Sequence, residues 1–249
     1  MRRFYVAAAL LSTLLLASLT VLAQTPSRED LLNEITAKRA ELDALERTFL
    51  APSEADRTLY AAFLREPDTG LIRLLPRETY DDIANKDRKR IVTRGGGAYY
   101  SFTRLTHEYG YGSDIELSQG TLSSGGFGGA SYGFLTNLGD VSLEGVNAET
   151  PALVPFAAYK AVREEPLARI EQRRFGQGAE LAGLPVKKHL PMKLNSTYLL
   201  RSINYPESDV LVAFRVVRID SDGSAIILWK LLKKYESPQL NRPEPVVVG

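Results

Sequence analysis

The sequence predicts an α+β fold: N-terminal helices, then an antiparallel β-sheet or small open barrel built from two β blocks, with a helical segment between them. Three observations point to it. Apolar residues recur at helical spacing after residue 27 and again within 153–183. Between Gly95 and Gly145 lie 13 of the 19 glycines, separated by short alternating apolar stretches. Runs of β-branched and aromatic residues then fill 197–232.

Residues 1–23 have the pattern of a secretory signal. Arg2 and Arg3 form a positive start, and Phe4 to Leu22 is apolar apart from Ser12, Thr13, Ser18 and Thr20. Val21-Leu22-Ala23 places small or modest residues before Gln24, so the expectation is cleavage there and no stable membrane span afterwards. Left uncleaved, the same apolar run is long enough to anchor the chain in a membrane.

Leu31, Ile35, Lys38, Leu42, Leu45 and Phe49 alternate steps of four and three, the seam of a short coiled coil over residues 27–50. Ser27 with Asp30 starts this helix and Pro52 stops it. The seam admits two uses: packing back onto the rest of the chain, or joining two copies into a homo-oligomer. A second start, Ser53-Glu54-Ala55-Asp56, opens a shorter helix that ends before Pro67.

Short strands are expected at 71–75, 98–106, 115–119 and 132–138, with a loose glycine loop at 123–129. Residues 153–183 return to helix, divided by Pro166 and ended by Gly176 and Gly178. Strands at 197–203, 210–219 and 225–232 follow, the last two joined by the tight turn "DSDG" (220–223). Both faces of "VLVAFRVV" are apolar, which is expected of a central strand buried on both sides. The organisation that results is a helical segment at 24–66 and an α+β domain at 67–236. Within that domain lie a β block at 67–145, the helical insert at 153–183 and a β meander at 186–236. The tail at 237–249 is expected to be flexible.

Composition narrows the chemistry. Without the signal arginines the formal charge falls from +1 to −1, so no bulk field draws the chain to nucleic acid. The absence of cysteine removes disulfides, thiolate nucleophiles and thiolate metal ligands. Two histidines without cysteine make a poor zinc set, so neither a metal nor another cofactor is expected. "DSDG" has the look of a calcium loop, but Arg218 and Trp229 fall where its first and twelfth ligands belong, and it reads as a hairpin turn.

"GGGAYYSFTRLTHEYGYGSDIEL" (95–117) is the densest candidate region. Tyr99, Tyr100, Tyr109 and Tyr111, with Arg104, form a candidate ligand face, since tyrosines grip sugar rings or peptides at low entropic cost. His107 with Ser101 and Asp114 is the candidate acid/base set, and without it the region is core and cross-strand pairing. "GASYG" (129–133) satisfies a nucleophile motif at Ser131. It lacks the strand-to-helix turn that the motif needs, and only His189 lies downstream. The functional expectation is an exported protein of the bacterial envelope, periplasmic or extracellular. It acts without catalysis as a binding or scaffolding module for an envelope polymer or a protein. The alternative is an exported hydrolase with His107 as general base.

Overall fold

A computed structural model describes residues 26–78, 97–107, 112–125 and 128–241. The signal expected at 1–23, residues 79–96, Tyr109, Tyr111 and residues 242–249 lie outside the described residues. The chain divides into two units, one ending at Thr48 and the other beginning at Phe49.

Helix α1 (Arg28–Leu50) makes up the described part of the first unit. Its start is held by Ser27: the Ser27 Oγ accepts the Asp30 N–H at 3.0 Å and donates to the Asp30 carboxylate at 2.6 Å. Of the seam residues, Leu31, Ile35, Leu42 and Leu45 are between 43% and 62% exposed. Among the described residues no helix is long and apolar enough to cross a membrane.

The second unit opens with α2 (Glu54–Leu59), whose capping box is complete, Ser53 and Asp56 bonding each other's backbone N–H. Arg218 pairs with the same Asp56 carboxylate and fastens the helix to the end of a strand. The strands are β1 (Thr69–Leu74), β2 (Tyr99–Tyr100), β3 (Ile115–Ser118), β4 (Thr121–Ser124) and β5 (Tyr132–Gly139). After helices α3 (Val154–Ala158) and α4 (Glu165–Gln177) come β6 (Ala179–Leu181), β7 (Leu184–Val186) and β8 (His189–Pro191). The series ends with β9 (Thr197–Asn204), β10 (Ser208–Ile219) and β11 (Ala225–Lys234).

Two antiparallel sheets carry the unit. The larger has the order β1-β11-β10-β9-β5, and the smaller has the order β2-β3-β4-β8. The two β blocks therefore exchange strands: β1 and β5 of the first flank the C-terminal meander, while β8 completes the small sheet. β10 is the middle strand of the larger sheet, and both of its faces are covered. On one face Val210, Val212, Phe214 and Val216 meet Ile115, Leu117 and Leu122 of the small sheet. On the other, Leu211 and Ala213 meet Phe156 of α3 and Ala168 and Phe175 of α4. Val212, Phe214 and Trp229 are all buried, as the apolar runs imply.

Two glycines show how closely the strands approach. Gly70 lies opposite Trp229, and a Cβ there would come within 2.5 Å of the indole ring. Gly133, the last residue of "GASYG", would place a Cβ 2.6 Å from the Arg201 carbonyl oxygen. That glycine lets β5 close onto β9, which is its structural role.

The expected strand at 98–106 is not built. After Tyr100 the chain turns back on itself: the Leu105 N–H donates to the Ser101 carbonyl, and Leu105 adopts a φ of 56°. The cause is distant in sequence. The Asp114 carboxylate accepts the Phe102 N–H at 2.8 Å, which ends the ladder after two residues. Side chains therefore do not alternate between two faces beyond Tyr100, and Ser101 and Phe102 are both buried. Strand β4 stands where the glycine loop was expected to begin, because Thr121 to Ser124 pairs with both β3 and β8.

Candidate functional site

Of the residues singled out in 95–117, Tyr99, Tyr100, Ser101 and Asp114 are buried. Tyr99 is 1% exposed, and its hydroxyl donates to Glu116. Tyr100 is buried too, edge-on to Phe102 at 5.3 Å and to the His107 ring at 5.0 Å. Neither ring offers a surface platform, and Tyr109 and Tyr111 lie outside the described residues. Arg104 is exposed and paired with Glu207 at 2.5 Å.

Ser101 and Asp114 do meet, at 3.5 Å, deep in the core. Asp114 also accepts the Phe102 N–H through Oδ2 and the Asn204 side-chain amide through Oδ1, at 3.1 Å. Burial pushes its carboxyl up to about 6, against the pull of these hydrogen bonds. His107 does not join them. Its Nε2 sits 2.9 Å from the Arg73 carbonyl oxygen, so that nitrogen carries the proton and donates it to the backbone. Burial lowers the His107 pKa, and the bond to Arg73 only partly offsets it. A histidine held neutral against a backbone carbonyl is placed as a half-buried structural residue at the edge of the core.

Ser131 is likewise committed, since its Oγ accepts the Tyr205 N–H at 3.0 Å. His189 instead meets Ser123, its Nδ1 lying 2.8 Å from that hydroxyl. Tyr99, Glu116, Ser123 and His189 are successive partners across β2, β3, β4 and β8, so they form one polar row. Glu116 in that row bonds Arg77 and Tyr99. Among the described residues, no group of three or more His, Asp or Glu is placed to hold a metal ion.

The unusual chemistry lies elsewhere, on the helix-covered face of the larger sheet. Arg201 of β9 is opposite Leu211, and Asp209 of β10 is opposite Ile203, which puts the two side chains diagonally on one face. Arg201 is 1% exposed and Asp209 is 3% exposed. The Arg201 Nη2 donates to Asp209 Oδ2 at 2.8 Å and to the Tyr159 carbonyl at 3.3 Å. The guanidinium lies over the Tyr235 ring, 3.3 Å from its centroid. Yet the Arg201 Nε and Nη1 have no hydrogen-bond partner, and neither has Asp209 Oδ1. Three of the five guanidinium N–H groups belong to those two nitrogens. Burial pushes the Asp209 carboxyl up to about 6, although the Arg201 charge pulls it down.

This pair lines a cavity of about 640 Å³. One wall is the segment 157–163, held by a tyrosine network. Tyr159 bonds Glu171 at 2.7 Å and Tyr132 at 3.0 Å, and the Tyr205 hydroxyl donates to the Val162 carbonyl. The opposite wall is 236–239, kept alongside by the Asn241 N–H to the Arg163 carbonyl. Tyr235 closes the floor, its hydroxyl donating to the Ala157 carbonyl at 2.8 Å. A smaller cavity of about 320 Å³ beside Arg215 differs in kind. There the guanidinium is already bonded to Asp140, the Val141 carbonyl and Thr197.

Sequence reasoning missed Arg201 and Asp209. The available signal was a lone charged residue inside "TYLLRSI", with an aspartate just across the following turn. The chain matches no protein-family model, and neither a curated protein nor a solved structure matches it.

Proposed function

We propose that this is an exported protein of the bacterial envelope that works by binding or scaffolding, with the Arg201 cavity as its ligand seat. The observation that carries this reading is the set of unpartnered Arg201 N–H groups, sealed in the free protein beside a ligand-sized cavity that Arg201 lines. Buried donors left without an acceptor are costly, and a bound ligand would satisfy them. The apolar run before Gln24 supports export.

Binding rather than hydrolysis is favoured because the His107 Nε2 is engaged by the Arg73 carbonyl, not by Ser101 or Asp114. Purified protein, wild type beside His107→Gln, should show no turnover of esterase, glycosidase or peptidase substrates. A general base contributes about a hundredfold or more, so its loss would be plain. Turnover by the wild type that disappears in a folded His107→Gln variant would install the hydrolase instead.

The exposed seam of α1 supports a second element of the reading, self-association through residues 27–50. Sedimentation velocity should find a dimer or larger species that Leu42→Asp converts to monomer. A wild-type monomer at every concentration tested would remove this element and leave the cavity unaffected.

A further inference from the structure

We infer that the Arg201 cavity takes a monoanionic carboxylate carried on a small apolar body. The inference rests on reading the cavity as a ligand seat and goes on to name its chemistry. The lining includes four cations, Lys160, Arg163, Arg201 and Lys233, against two acids, Asp209 and Glu236. Lys160, Arg163 and Lys233 are exposed, Lys233 with its ammonium 4.9 Å from the Tyr235 ring centroid, and only Arg201 is buried. Such an arrangement draws anions in and then offers them charged donors away from water.

The floor decides which anion. Arg201 already shares its charge with Asp209, 2.8 Å away. A dianionic phosphate would bring two further negative charges beside a buried carboxylate with one guanidinium to answer them. A single carboxylate needs one cation and a few donors, and the Nε and Nη1 of Arg201, sealed in the free protein, supply the donors once the ligand shifts the Tyr235 ring packed on the guanidinium. The cavity is also far larger than a carboxylate group alone. Ala157, Ala158 and Ala161 and the partly buried Tyr235 line the remaining volume, so the rest of the ligand meets methyl groups and a ring.

The test is isothermal titration calorimetry on the full chain with four probes: hexanoate, N-acetylalanine, methyl hexanoate and inorganic phosphate. Hexanoate and N-acetylalanine should each bind once per chain, and methyl hexanoate, which lacks the charge, about tenfold or more weaker. Phosphate should bind more weakly than either acid. Ala158→Trp fills an exposed part of the wall and should abolish carboxylate binding. Lys160→Glu with Arg163→Glu changes only exposed charges and should weaken it several-fold, most at low salt. Phosphate or the ester binding as well as the acids, and lost in Ala158→Trp, would overturn the carboxylate assignment and leave the seat standing. No binding by any probe, or binding indifferent to both variants, would overturn the carboxylate assignment and the seat together.

Discussion

Arg201→Met is expected to cost about 3–5 kcal/mol of folding free energy, because it leaves Asp209 buried without its cation. The methionine replaces the bulk of the side chain, so the loss reports charge rather than volume. Asp209 has two oxygens in the core, and Oδ1 already lacks a partner. Without Arg201, Oδ2 loses its partner as well, and nothing opposes the burial that disfavours the ionised form. The double variant Arg201→Met with Asp209→Leu should recover most of the loss, since a packed apolar pair avoids the desolvation cost altogether. Urea denaturation at neutral pH measures both. A single variant within about 1 kcal/mol of wild type, the value of an exposed ion pair, would mean that the pair is solvated and the cavity floor is not built as described.

Phe214→Ala should cost a similar amount, about 3–5 kcal/mol, for a different reason. Phe214 is fully buried on the middle strand and stacks on Tyr198 with ring centroids 5.2 Å apart. It lies between the two sheets, where β10, β9 and the small sheet each contribute side chains. The surrounding backbone is held by ladders on both sides of β10, so collapse around the missing ring is restricted. The loss is a large share of the stability of an ordinary domain. A melting temperature equal to that of wild type would show that the strand is not central.

Those two residues mark what was legible in the sequence and what was not. Phe214 could be placed because β-branched and aromatic residues fill both faces of its strand, and local pattern suffices for that. The same holds for the caps at Ser27 and Ser53, whose partners lie three residues away. The turn after Tyr100 could not be read, because Asp114 imposes it from twelve residues beyond Phe102. The strand expected at 98–106 followed a sound local rule that a buried carboxylate overrode. Arg201 was hidden by a similar mechanism. A charged residue in a strand is ordinarily taken as solvent-facing, and only the pairing of β9 with β10 shows that Asp209 lies beside it. Tyr99 and Tyr100 show the opposite case, since the number of tyrosines suggested a surface and these two side chains are buried.

The claim on which the account turns is that the free N–H groups of Arg201 are the ligand's partners. Nitrogen-15 NMR of the arginine Nε–H groups, in wild-type protein titrated with hexanoate, observes them directly. The Arg201 Nε–H resonance, assigned by its absence from the folded Arg201→Met/Asp209→Leu variant, should shift saturably with added hexanoate and stay still with methyl hexanoate. If that resonance does not move while calorimetry records hexanoate binding, the ligand is elsewhere and the Arg201 cavity is not its seat.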